Sequence, residues 1–305
     1  MVAKAAIVTM TKRWLVNGAL FLVALGLGLF LWDKPETAAP YRAPQLTTIK
    51  TAAISAIIVQ RASHRTIVFK RIGSQWFVLR PLAARADRFR VEALTDLAHA
   101  RTSDHFAAPM ANLAAFGLAP PEAVLTLNHE RILIGKRGPL GNLRYVLVGH
   151  TIALVPTETI GLRHWNTDSF LSTKLLGDRI HPVAFDLPHF TVIREHGIWR
   201  VMPKPTKVSN DQINTFVDEW RYARALAVTP YQNQPVIGRI TIHYRTESHH
   251  AQSAPGAAHI HTLTIDIAAT QPELVLVRRD QGLAYHFPKE IGQHLLHLDS
   301  DAGTP

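Results

Sequence analysis

The stretch GSQWFVLRP at residues 73–81 alternates apolar and polar side chains around a Trp and stops at a Pro. HGIWRVMPKP at residues 196–205 repeats that pattern. Alternation with a period of two marks a half-buried strand, and Pro at its end removes a ladder donor and closes it. The surroundings repeat as well. Before the first copy come ISAIIVQR (Ile54 to Arg61) and TIVFKRI (Thr66 to Ile72), rich in β-branched residues; before the second come HPVAFDL and FTVIRE. After each copy the period changes to that of a helix. Asp87 is placed as an N-cap ahead of Val91, Leu94, Leu97 and Ala98 on one face. Ser209 and Gln212 form a capping box ahead of Ile213, Phe216, Val217, Trp220 and Ala223.

Four further strands close each unit. They are AVLTLN, RILIGK, RYVLVG and IALVP in the first, and IGRITIHY, HTLTIDI, ELVLVRR and GLAYHFP in the second. The expected fold class is α+β: an N-terminal transmembrane helix, then two tandem, similar units of mostly antiparallel sheet with one main helix each. Trp76 and Trp199, matched between units, are expected to pack on the helix-facing side of their sheets. Two unrelated α+β segments with generic alternation are the alternative reading.

The front of the chain has a different character. Trp14 to Trp32 contains no charged residue and has Trp at both ends. As a helix it would be about 28 Å long, enough to cross a hydrocarbon core of about 30 Å. Lys4, Lys12 and Arg13 precede it, which orients the N-terminus towards the cytoplasm and the remainder to the periplasmic side of a bacterial inner membrane. A cleaved signal peptide is the competing reading, with Ala38 and Ala39 as the small residues, although they lie well beyond the apolar run. The expected organisation is a basic tail at 1–13, a single-pass span at 14–32, a Pro/Ala-rich stalk at 33–50 and a first unit at 51–160. A connecting helix or linker at 161–180, a second unit at 181–298 and a tail at 299–305 follow.

Composition narrows the function classes. With 305 residues, 47% hydrophobic and 18% charged, the chain is long enough for two real cores and is not a disordered polymer. The absence of Cys rules out disulfides, a thiolate nucleophile and thiolate metal sites. The formal charge is +10; removing Lys4, Lys12 and Arg13, with no acid before Asp33, leaves +7 for the rest. That surplus favours anionic partners such as phospholipid headgroups or acidic glycans. Nucleic acid is not expected, because the charge orientation puts the basic part outside the cytoplasm.

QWFVLRPLAARADRFRVEALTDLAHAR, FGLAPPEAVLTL, ILIGKR and RYVLV resemble the bacterial family called domain of unknown function 4340. The pattern is carried by Trp76, Pro81, Ala86 and Asp87, by Gly117, Leu118 and Pro120, by Ile134 and Gly135, and by Arg144, Tyr145 and Val146. It spans roughly Thr66 to Pro156. The second unit departs from it, with no Gly-Leu-x-Pro before Ile240 and no Ile-Gly hairpin. The resemblance implies a membrane-tethered envelope protein, sometimes associated with transport or motility systems. It transfers no catalytic residue and no cofactor.

Motifs for catalysis are missing. Ser103, Asp104 and His105 are neighbours, so their side chains diverge and cannot form a triad. LIGKRGPLG lacks the first Gly of a phosphate loop. The weak metal candidates are His249, His250, His259 and His261, the last two spaced to share one face of a strand. The sequence therefore leads to a non-enzymatic, membrane-anchored interaction or accessory module of the envelope with a protein partner, in an assembly related to transport. The alternative is a binding module for an anionic lipid or glycan.

Overall fold

The structure, a computed structural model, describes residues 14, 18–27, 44–108, 110–139, 141–204, 208–246 and 259–298. Residues 18–27 form helix α1, whose Leu20, Phe21, Leu22, Val23, Leu25 and Leu27 are exposed. Among the described residues, no helix is long and apolar enough to cross a membrane. The remainder of the expected span, Trp14 to Trp32, lies outside them, as do the basic tail and residues 33–43 of the expected stalk. Residues 44–50 are not a stalk but part of the compact unit, where the Leu46 and Thr47 N–H groups donate to the Ala100 and Ala98 carbonyls.

Residues from Pro44 onward form one compact unit containing two sheets. The first is built from β1 (Ala56–Arg61), β2 (Ile67–Ile72), β3 (Gln75–Arg80), β4 (Ala84–Arg85), β5 (Asp104–Ala107), β6 (Ala123–Leu127), β7 (Glu130–Arg137), β8 (Leu143–Val148) and β9 (Thr151–Pro156). Its order is β4-β3-β2-β1-β6-β7-β8-β9-β5, and each neighbouring pair is antiparallel. The second contains β10 (Ile180–Asp186), β11 (Thr191–Glu195), β12 (Ile198–Met202), β13 (Ala227–Pro230), β14 (Gly238–Thr246), β15 (His261–Ala269), β16 (Leu274–Arg278) and β17 (Leu283–Phe287). Its order is β12-β11-β10-β14-β15-β16-β17-β13, again antiparallel throughout.

Strand for strand, the two orders correspond. In each, a three-strand meander joins a four-strand meander through its first strand, and a short strand after the helix pairs with the last. Only β4 has no counterpart. Two particular pairs underline the match. Arg71 lies opposite Trp76 across β2–β3 with its guanidinium 5.9 Å from the ring, and Arg194 stands in the same relation to Trp199 across β11–β12, also at 5.9 Å.

The helices start where side chains can satisfy their free N–H groups. The Asp87 carboxylate accepts from the Arg90 N–H at the head of α2 (Arg88–Asp96). At the head of α4 (Asn210–Tyr222), Ser209 accepts from the Gln212 N–H and Gln212 reaches back to the Ser209 N–H at 2.7 Å. Val91 and Leu94 of α2 and Ile213, Phe216, Val217 and Trp220 of α4 face inward. Two short helices follow the last strands, α3 (Thr157–Ile160) and α5 (Lys289–Leu296). The Trp220 indole N–H donates to the Leu295 carbonyl at 3.0 Å, tying α4 to α5. Trp76 is buried, whereas Trp199 is only half-buried and packs its ring 6.0 Å from Phe185. One continuous apolar core runs from Ile54 through both sheets to Leu295.

The connection at 161–180 holds the halves together as a strap. It contains two 3-10 turns, Leu162–His164 and Asp168–Phe170, and buries Trp165, Phe170, Leu171, Leu175 and Leu176. On one side it bonds to the first sheet, through Asp87 N–H to the Phe170 carbonyl at 2.7 Å and Ser172 N–H to the Arg85 carbonyl at 2.9 Å. On the other, Leu175 donates to the Ala223 carbonyl at 3.1 Å and Ala225 to that of Thr173 at 2.9 Å. Buried backbone groups must be paired, so these bonds fix the strap in register with both halves.

Candidate functional site

Two arginines clamp the strap, Arg85 half-buried and Arg278 buried. Arg85, at the end of β4, points its guanidinium at the carbonyls of Lys174 (2.7 Å), Leu176 (3.1 Å) and Leu175 (3.2 Å). Arg278, from β16, donates from Nη1 to the same Leu175 carbonyl at 2.8 Å and holds Asp280 through Nε and Nη2 at 2.9 and 2.7 Å. Burial lowers the pKa of Arg85 from its ordinary value; neighbouring Arg278 adds to this, while Tyr285 opposes it. Burial also raises the Tyr285 phenol, against the pull of the two arginines. These cations are structural: Arg85 donates to three strap carbonyls, and Arg278 divides its donors between the strap and Asp280.

Above this clamp lies a groove of about 560 Å³. Its walls are the β2–β3 turn, the head of α2, the strap and the link between α4 and β13. Five cations line it, Arg85, Arg88, Lys174, Arg179 and Arg224, against two carboxylates, Asp87 and Asp178. Most of these charges are already engaged. Asp87 caps α2, Arg88 pairs with Glu92 at 2.7 Å, and Lys174 pairs with Asp178. The side chains of Arg179 and Arg224 are exposed and have no hydrogen-bond or ion-pair partner among the described residues. A concave surface with surplus fixed charge and two free guanidinium groups suits a phosphate, sulfate or carboxylate, which such groups bind bidentately.

No family model, curated protein or solved structure matches the chain.

The family-pattern residues fall into two places. Trp76 and Asp87 border the groove, and Pro81 follows β3. Trp76 is 5% exposed with Arg71 near its face, which leaves little ring for a ligand to stack on. The others gather on the opposite face of the first sheet. Gly117 has φ +66°, a conformation that favours Gly, and a Cβ there would sit 2.8 Å from the Lys136 backbone nitrogen. A Cβ on Gly135 would meet the Phe116 carbonyl at 2.4 Å. The two glycines therefore let the turn carrying Leu118 lie directly on β7. Leu118 is buried beside Leu147 and Ile152, while Phe116 and Tyr145 meet edge-to-face at 4.9 Å. Pro120 follows a cis peptide bond in the same turn. Arg144 fastens it by donating to the Gly135 carbonyl at 2.6 Å and to Glu122. This is a packing device.

Of the histidines singled out, His249 and His250 lie outside the described residues. His259 and His261 are exposed. His261 begins β15 with its ring 5.4 Å from Tyr244, whereas His259 lies two residues before the strand, so the two do not share a strand face. Among the described residues no group of three or more His, Asp or Glu side chains is arranged to hold a metal ion.

Sequence reasoning missed two carboxylate–imidazole–hydroxyl relays, both assembled across strands. Glu273 contacts His286 Nδ1 at 2.8 Å and His286 Nε2 contacts the Thr229 hydroxyl at 3.0 Å. Asp186 contacts His243 Nε2 at 2.9 Å, with Thr262 at 3.4 Å from Nδ1. Hydrolysis needs a cleft with oxyanion donors beside the hydroxyl. The first relay instead runs from Glu273, just before β16, through β17 to the edge strand β13, which it fastens. Asp104 and His105 fall on the edge strand β5, and no bond joins their side chains among the described residues.

One buried charge is a stability element. Asp266 is 2% exposed and receives Arg239 of β14 at 3.1 Å and Arg279, just past the end of β16. Burial pushes its carboxyl pKa up, but the bonds and charges of Arg279 and Arg239 outweigh this and hold it below the ordinary range. A depressed carboxyl pKa contributes stability above the unfolded value, about 3.9, which is lost as the pH falls through the lower folded value. Because both arginines are more than half exposed, screening reduces the effect. Asp266→Asn is expected to cost about 1–2 kcal/mol at neutral pH. Urea midpoints measured against pH should show that difference shrinking below about pH 4.

Proposed function

We propose that the chain is a non-enzymatic envelope module, tethered by Trp14 to Trp32, that recognises an anionic ligand in the groove over the strap. The observation that carries this reading is a pair of guanidinium groups, Arg179 and Arg224, without partners among the described residues, in a cavity with more cations than carboxylates. The basic surplus of the chain beyond residue 32 and the likeness to a family of tethered envelope proteins support it. The basic flank before Trp14 favours a periplasmic location for this unit. The shared strand order of the two sheets supports an origin by duplication, with the groove formed where the copies meet.

The test is a titration of the full chain, held in neutral detergent, with dextran sulfate as a soluble polyanion. Saturable binding is expected, weakening several-fold as salt rises from about 50 to about 300 mM, because added ions screen exposed charges. Absence of binding at low salt, or binding indifferent to salt, would contradict the reading.

A second reading, docking of an envelope protein partner, is favoured by β12. This edge strand of the second sheet exposes Ile198 and Met202 in one row, a surface suited to strand addition. A photo-crosslinker at Ile198 in native membranes should capture a discrete protein adduct; a clean monomer would end this reading.

A further inference from the structure

We infer that the occupant of the groove is the headgroup of an anionic phospholipid at a bilayer surface, with Phe89 and Ile72 entering the membrane interface beside it. The inference rests on the anion-binding reading above and names the source of the anion. Phe89 is 74% exposed and Ile72 is 56% exposed, and both line the groove with the cations.

Their exposure follows from the period of their own elements. Phe89 stands two residues before the buried Val91, about 200° away around the helix, so it projects away from the core. Ile72 ends β2, where Ile67 and Phe69 face inward, so it belongs to the opposite, outer row. Neither can be recruited to the core without unwinding its element.

A soluble anion would satisfy Arg179 and Arg224 but leave this Phe and Ile in water. An acidic glycan would stack on the open Phe89 ring alone and leave Ile72 in water, since Trp76, the other ring of the groove wall, is buried under Arg71. A lipid surface satisfies both sets at once: phosphates for the guanidinium groups, and the boundary of the acyl region for the apolar tips. Basic residues surrounding exposed Phe and Ile are the composition of an interfacial membrane contact.

The absence of Cys allows a direct test on the full chain. A single Ser74→Cys variant places an environment-sensitive NBD probe on the exposed β2–β3 turn of the groove. A His64→Cys variant places the same probe on the β1–β2 turn, at the other end of that hairpin. Each is reconstituted in nanodiscs of phosphatidylcholine alone or with phosphatidylglycerol. With phosphatidylglycerol, emission at position 74 is expected to rise roughly threefold and shift to the blue as water leaves the probe, while position 64 stays unchanged. Phe89→Ala with Ile72→Ala should abolish the response while leaving dextran sulfate binding intact. No response at position 74, with dextran sulfate still bound, would overturn the lipid assignment and leave the anion reading standing. An equal response at both positions would also overturn it. Failure in both assays would remove the two together.

Discussion

Trp220→Ala is expected to destabilise the protein by about 3–5 kcal/mol, the range for emptying a large aromatic site in a packed core. Trp220 has no exposed surface, and it packs 5.7 Å from the Phe185 ring. Its indole N–H is bonded to Leu295, so truncation opens a cavity and strands a buried carbonyl at the α4–α5 contact. Trp199→Ala should cost about 1–2 kcal/mol, because that ring is half-buried and leaves a shallower defect. Urea denaturation followed by circular dichroism measures both. Equal losses would show that the inner face of the second sheet is not organised around α4.

The second large effect concerns binding. Combining Arg179→Glu with Arg224→Glu replaces the two groove cations that have no partner among the described residues by repelling carboxylates. Like-charge contacts cost several kcal/mol, so dextran sulfate affinity should fall by about 100-fold, or about 3 kcal/mol. Both side chains are exposed and without partners among the described residues, so stability should stay within about 0.5 kcal/mol of the native chain. Isothermal titration and the urea midpoint together separate lost recognition from lost folding. By contrast, removing Arg85 would orphan the strap carbonyls and act first on the fold.

Much of this architecture is written in the alternation of side chains. The fourteen strands read from the sequence all form, and the capping residues Asp87, Ser209 and Gln212 lie at the helix starts they predict. The strands missed were β4, β5 and β13, which hold two to four residues each. They are too short for a period to show, and β13 ends in a Pro that only an edge position tolerates. The match of Trp76 with Trp199 was legible, but their unequal burial was not, because it depends on what the neighbouring elements cover. The Gly-Leu-Ala-Pro turn could be quoted but not explained from sequence, because Gly117 makes room for Lys136 and Gly135 for Phe116 and Leu118 only where the turn lies on β7.

The groove was less legible. Its cations come from the head of α2, the strap and the α4–β13 link, which are distant in sequence and adjacent only after the strap pairs with both halves. One signal was available. Phe89 stands off the apolar face set by Val91, Leu94 and Leu97, and a large aromatic on the polar side of a helix invites a binding role. The same holds for the His243 and His286 relays, whose members are joined by strand register and not by any motif.

Amide hydrogen exchange of the full chain, with and without dextran sulfate at low salt, tests the central claim most directly. Ligand in the groove should slow exchange in residues 85–89 and 172–179 and leave the β7–β8 side of the first sheet unchanged. Slowing confined to other basic surfaces, such as that around Arg239 and Arg279, or no slowing despite binding, would contradict the assignment of the groove as the recognition site.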